Sequence, residues 1–206
     1  MAINLVKGQR VEISLSKLTV ELGWKVNPDA NPPYDLDAST FLLRDNGEIG
    51  VEEDFVFYGS SNCIETPEGR RPLSADGSVL GSVDDLGDDD DNSGQGNEEI
   101  EVDLSKAGDE IKSILFTASI YWEAGKKSER YNFGQVRDAY IKIKNALTGD
   151  EILRYDLDED FSTEKGVEFG RLYRRGNLWK FEAIGIGYTD GLAPICRKYA
   201  SKYMGY

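Results

Sequence analysis

Residues 84–103 read D-D-L-G-D-D-D-D-N-S-G-Q-G-N-E-E-I-E-V-D, ten carboxylates with no Lys or Arg among them. Four are consecutive: Asp88, Asp89, Asp90 and Asp91. Neighbouring carboxylates about 5 Å apart repel by about 0.8 kcal/mol in water and by about 3 kcal/mol at an effective dielectric of 20. A solvated linker tolerates that repulsion, whereas a compact loop needs a cation to offset it. Which state holds decides most of what the chain can be.

The chain of 206 residues carries 38 acidic and 24 basic side chains, a net charge of −14, and the acidity is concentrated in this one stretch. Nucleic-acid binding through a basic face is disfavoured, because phosphate affinity comes from clustered Lys and Arg. The nearest basic cluster, Arg171, Arg174 and Arg175, reads as solvated positions near a turn. There is no histidine, which removes Ser-His-Asp and Cys-His nucleophile pairs and nearly every zinc site. Carboxylate-pair glycosidases remain open. Two distant cysteines, Cys63 in a polar loop and Cys196 in an apolar helical stretch, make no disulfide framework. No apolar run opens the chain or approaches a membrane span, so a soluble cytoplasmic protein without stable membrane insertion is expected.

Short alternating segments dominate the rest. V-E-I-S-L (11–15), T-V-E-L-G-W (19–24), S-T-F-L-L-R (39–44), I-E-V-D-L (100–104), A-Y-I-K-I-K (139–144) and E-I-L-R-Y-D-L (151–157) read as strands. S-I-L-F-T-A-S-I-Y-W (113–122) is nearly all apolar or small, as in a strand buried on both faces. Asp45-Asn46-Gly47 predicts a hairpin turn leading to F-V-F-Y (55–58), and Gly176-Asn177 predicts another between V-E-F-G-R-L-Y-R-R (167–175) and L-W-K-F-E-A-I (178–184). Residues 59–81, rich in Ser, Pro and Gly, read as a long loop. Asp190 can cap a helix to about Tyr203, with Leu192, Ile195, Cys196 and Tyr199 on one face. The aromatic residues, Trp24, Trp122, Trp179 and Tyr121 among them, read as core. The sum is a mainly β protein, one domain over residues 1–206: an antiparallel β-sandwich with a short C-terminal helix.

Calcium takes six to eight oxygen ligands, and a short loop supplies them when Asp and Asn alternate and glycines let the backbone curl. Asp88, Asp90 and Asn92 fall at positions 1, 3 and 5 of an EF-hand register with Glu99 at 12, but Ser93 stands where the glycine belongs. Shifting by one restores Gly94 at position 6 and puts Ile100 in the Glu position. The flanks are a loop and a strand, not helices. The stretch is thus either a calcium loop of the same chemistry on a β scaffold or an acidic linker. Asp35 and Asp37, two apart on an extended chain, face one side together.

Several collinear segments resemble one family, the bacterial tellurium-resistance, TerD-type stress proteins. They are L-V-K-G (5–8), V-E-L-G-W (20–24), Y-D-L-D-A-S-T-F-L-L (34–43), A-D-G-S-V (75–79), the acidic loop into I-E-V-D-L, F-G-Q-V-R-D-A-Y-I-K-I (133–143), F-G-R-L-Y-R (169–174), W-K-F-E-A-I-G-I-G-Y (179–188) and G-L-A-P-I-C (191–196). The resemblance implies a non-catalytic β-sandwich holding Ca2+, two ions, between the D-L-D-A-S loop and an acidic calcium-binding loop at residues 84–99. It implies stress response and tellurium resistance, with other stress-response proteins as partners. Carried over by position, the metal ligands are Asp35 and Asp37, Asp76 of A-D-G-S-V, and Asp88, Asp89, Asp91, Asn97, Glu98 and Glu99. The spacing to I-E-V-D-L puts Glu98, rather than Glu99, at the family's final Glu. Lys25 stands where an acid commonly follows G-W, Gly59-Ser60 replaces Asn-Asn, and the 59–81 segment is a longer insertion than usual. Two alternatives accompany this expectation: a calcium-dependent membrane- or glycan-binding sandwich, and a hydrolase using a carboxylate pair.

Overall fold

Alternating apolar residues pair into two six-stranded sheets, because burying one face of each is the only way to remove that many branched and aromatic side chains from water. The computed structural model describes residues 2–25, 36–83, 95–122, 125–159 and 161–203. In chain order the strands begin with β1 Ile3–Leu5, β2 Arg10–Ile13, β3 Lys17–Lys25, β4 Leu36–Leu43, β5 Phe55–Val56, β6 Cys63–Thr66 and β7 Gly69–Pro72. They continue with β8 Val79–Leu80, β9 Gln95–Asp103, β10 Ser113–Ile120, β11 Arg137–Asn145, β12 Glu151–Asp156, β13 Gly166–Arg175 and β14 Leu178–Tyr188, before helix α1 Leu192–Tyr199. One sheet has the order β1-β12-β11-β3-β9-β8 and the other β2-β14-β13-β10-β4-β5. Among the described residues one pairing is parallel, β1 on β12, with Ile3 opposite Leu153.

The main core lies between the sheets. Leu18, Val20, Leu22, Ile100, Val102 and Ile141 from one sheet meet Ile114, Phe116, Val167, Phe169, Leu172 and Phe181 from the other. A second cluster lies on the outer face of the β4–β10 sheet, where Ile195, Cys196 and Ala200 cover Phe41, Leu43 and Leu115. Strand β10 is therefore buried on both faces, which is why its sequence shows no polar alternation.

Several expectations are refined. Residues 59–81 contain the β6–β7 hairpin and β8 rather than an unstructured loop. The Asp45-Asn46-Gly47 turn forms, with Gly47 at φ +79° and the Arg44 N–H donating to the Glu48 carbonyl at 2.9 Å. A 3-10 turn, Glu52–Asp54, intervenes before β5. The helix is capped by Gly191, not Asp190, and ends at Tyr199, followed by a 3-10 turn at Ser201–Tyr203. Gly191 has φ +68°, which glycine adopts without Cβ strain. Trp24 and Trp179 are core, but Trp122 is half-buried and Tyr121 is 44% exposed.

Candidate metal site

Strands β4 and β9 belong to opposite sheets, and a buried carboxylate joins them. The short strand β5 pairs with β4 only at Thr40 and Phe41, so it leaves the edge of β4 at Ala38 uncovered. Glu98 on β9 reaches across, and its Oε2 accepts the Ala38 N–H at 2.7 Å. Asp37 and Glu98, each 6% exposed, line one cleft. The cleft has a volume of about 10 Å³, room for about one water-sized sphere. Val83, the residue before position 84, also lines it. Thr40 lines it too, and its buried Oγ1 has no hydrogen-bond partner among the described residues. Carboxylate and hydroxyl oxygens make a hard donor set, which suits calcium and not a soft metal.

The pleat of β9 sorts the candidate ligands. Glu98, Ile100 and Val102 are buried, while Asn97, Glu99 and Glu101 are exposed on the opposite face. Glu98 is the inward residue, and Asn97 and Glu99 do not line the cleft. Glu99 instead pairs with Lys144 at 2.5 Å. Asp76 is also apart from the cleft. Its Oδ1 accepts from Ser74 Oγ and Ser78 N–H, both at 2.9 Å, and its Oδ2 accepts from the Gly108 N–H at 3.2 Å. Burial works against ionisation of Asp76, but these donors outweigh it and lower the pKa. Asp76 thus orders the turn that carries A-D-G-S-V. Asp35, Asp88, Asp89 and Asp91 lie outside the described residues. Among the described residues no group of three or more His, Cys, Asp or Glu is arranged to hold a metal ion.

Residue-level features absent from the sequence reading lie on the outer face of the same sheet. Glu21 on β3 accepts from Tyr140 Oη, from Lys142 at 3.0 Å and from Lys144 at 2.7 Å. Burial pushes the Glu21 carboxyl up, yet the donors Lys144, Tyr140 and Lys142 outweigh it and bring the pKa down to about 2. The signal was present in A-Y-I-K-I-K, whose period of two puts Tyr140, Lys142 and Lys144 on one face. The arginines near the 176–177 turn are not all solvated. Arg171 holds Glu182 through Nε at 2.9 Å and a terminal nitrogen at 2.7 Å. Arg174 donates to the Ile111 and Ala107 carbonyls at 3.1 and 2.7 Å.

Two mainly antiparallel sheets meeting at a cleft lined by buried carboxylates, one from each sheet, define an acidic-cleft β-sandwich. The chain belongs to the TerD-domain family: the TerD domain matches residues 1–199. General stress protein 16U of Bacillus subtilis (strain 168) is 41% identical over 206 residues, covering 97% of this chain and 97% of that protein. Tellurium resistance protein TerD of Serratia marcescens is 36% identical over 205 residues, again covering 97% of each. The crystal structure of a homologue of telluride resistance protein (TerD) from Streptomyces coelicolor A3(2) superposes with a TM-score of 0.63 at 16% identity. That match covers 91% of this chain and 98% of the other, and it shows the shared fold. Among the described residues no helix is long and apolar enough to cross a membrane.

Proposed function

We propose that this protein is a non-catalytic calcium-binding member of the TerD stress and tellurium-resistance family, in which the ion ties the acidic stretch to the D-L-D-A-S segment. The observation that carries the reading is the inter-sheet bond from Ala38 N–H to Glu98, which brings D-L-D-A-S and the end of the acidic stretch to one cleft. Asp37 and Glu98 would hold the ion, with Asp35, Asp88, Asp89 and Asp91 as the further ligands. Calcium would supply charge neutralisation and a crosslink between sheets, and no reaction step.

Size supports an ion over an organic substrate. Small-molecule sites usually enclose about 300–1,000 Å³, whereas this cleft offers about 10 Å³. A glycosidase would also need two carboxyls facing each other across a bound sugar, about 5–9 Å apart.

Calorimetric titration of the chelator-stripped protein with calcium tests the reading. Saturable binding of one or two ions is expected, weakened at least tenfold by Asp37→Ala or Glu98→Gln and unchanged by Asp76→Asn. Absence of any binding heat, or equal binding by the three variants, would overturn it.

A further inference from the structure

The 59–81 insertion, which the calcium reading leaves unused, builds one wall of a second cavity with a volume of about 350 Å³. That volume lies within the usual range of small-molecule sites, about 300–1,000 Å³. Ile64 of β6, Leu73, and Leu80 of β8 line it, and all three come from the insertion. Ile64 is 40% exposed, Leu73 and Leu80 are half-buried, and none of the three is part of either hydrophobic core. An aliphatic wall left outside both cores is surface that a ligand with an apolar body would cover. The wall is held in place by its backbone and by Arg71. Leu73 and Leu80 form an antiparallel bridge. Arg71 of β7 donates to the Gly81 carbonyl at 2.7 Å and pairs with Glu101 of β9 at 2.6 Å.

The rest of the rim carries charge. Lys17 on β3 and Lys106 line the cavity, both are exposed, and neither has an ion-pair partner among the described residues. They are brought together by the end of β9. Lys17 stands directly opposite Asp103 in the β3–β9 register, and the Lys106 N–H donates to the Asp103 carbonyl at 3.0 Å in the turn that follows. Both carboxylates of the rim are already engaged. Glu101 is held by Arg71, and Asp103 Oδ1 accepts from the Ser105 N–H at 3.1 Å and from Ser105 Oγ at 2.5 Å. Ser105 first, and then the charges of Lys17 and Lys106, hold the Asp103 carboxyl below its ordinary value. With Arg71 offsetting Glu101 and one lysine offsetting Asp103, a positive charge stays uncompensated at this rim, in a chain whose net charge is −14.

We propose that this cavity binds a small amphipathic carboxylate, its apolar body on Ile64, Leu73 and Leu80 and its head between Lys17 and Lys106. A neutral apolar ligand would use the aliphatic wall and leave both lysines idle. An inorganic anion would use the lysines and gain nothing from the wall. A cation would meet Lys17 and Lys106 with their like charge, while the acids that could receive it are already held by Arg71 and Ser105. An amphipathic carboxylate uses both parts of the lining.

The test is an amide NMR titration of the full chain, with calcium present throughout, using sodium hexanoate. The controls are acetate, which keeps the head without the chain, hexanol, which keeps the chain without the charge, and hexylammonium, which reverses the charge. Saturable shifts at residues 17–18, 64, 73–80, 101–106 and 146 are expected with hexanoate, and about tenfold weaker binding with each control. The double variant Lys17→Gln/Lys106→Gln should weaken hexanoate about tenfold, the worth of two exposed charge contacts, and leave the response to hexanol unchanged. Ile64→Ser changes a side chain outside both cores, so it should leave the fold intact and weaken hexanoate and hexanol together. Shifts reproduced by acetate, equal binding of hexylammonium, or binding indifferent to both variants would overturn the inference. An N-acetylated peptide ending in Gly-Leu with a free carboxylate separates a free acid from the C-terminus of a partner chain. Tighter binding of hexanoate assigns the former, and tighter binding of the peptide, lost when its terminus is amidated, assigns the latter. Saturable binding of either supports the site, and binding of neither overturns it.

Discussion

Two glutamates show how much a single position decides. Glu98 and Glu99 are neighbours in sequence, yet the pleat sends one into the inter-sheet cleft and the other to Lys144 on the outer face. Composition names both without choosing; the spacing to I-E-V-D-L favours Glu98, because residues 98, 100 and 102 fall on one face of an extended strand. The nine-residue register of β9 on β3 starts at Gln95, inside the acidic stretch. Glu21 carries a separate prediction. Its folded pKa of about 2 lies below its ordinary value of 4.5, so its charged form is favoured by folding. That contribution is fully present above pH 4.5 and is lost as pH falls towards 2, and it is worth on the order of 3 kcal/mol at neutral pH. Urea melts of wild type and Glu21→Gln should differ most near pH 7 and converge between pH 4.5 and 2. A constant gap across that range would show that the network does not act through the charge of Glu21.

At the scale of elements, the long alternating strands were legible and the short ones were not. Strands β3, β10, β13 and β14 announce themselves by period or by continuous apolar content. Strand β1 spans three residues and β8 two, too few for a period, while β6 and β7 carry Glu65, Arg70 and Arg71 on a hairpin outside both main sheets. The docking of α1 rests on a close approach that sequence patterns do not reveal. A Cβ at Gly166 would lie 2.5 Å from the Gly191 carbonyl oxygen, a backbone atom that cannot swing aside. Gly166→Ala should therefore push the helix N-terminus off β13 at a cost of about 1–3 kcal/mol. Cys196 reports on this directly, because burial pushes its thiol up to about 11 and shields it. In a Cys63→Ser background, thiol reagents should label Cys196 many times faster once Gly166→Ala is introduced. Labelling as slow as in the parent would mean that the helix stays docked.

For the whole molecule the question is whether the net charge of −14 is balanced by diffuse ions or by a specific one. Screening acts on every exposed carboxylate, depends on ionic strength, and at 0.1 M already works over about 10 Å. A bound calcium acts at one place, saturates, and at a hundred times its dissociation constant adds about 2.7 kcal/mol. For a chain of this length that corresponds to a melting-temperature rise of about 5–10 °C. Sodium chloride should therefore raise the melting temperature of the chelated protein gradually and without saturation. Calcium at millimolar concentration, in a constant salt background, should add a saturating step. Magnesium should add much less, because it sheds its water reluctantly and demands a tight octahedron. In Glu98→Gln the calcium step should shrink to the size of the magnesium response, since the amide keeps one oxygen for the Ala38 N–H and offers the ion an NH2 in place of a charged carboxylate oxygen. Equal responses to calcium and magnesium in the wild-type protein would show that the acidic charge is balanced by diffuse ions, with the two sheets held together by their shared apolar core.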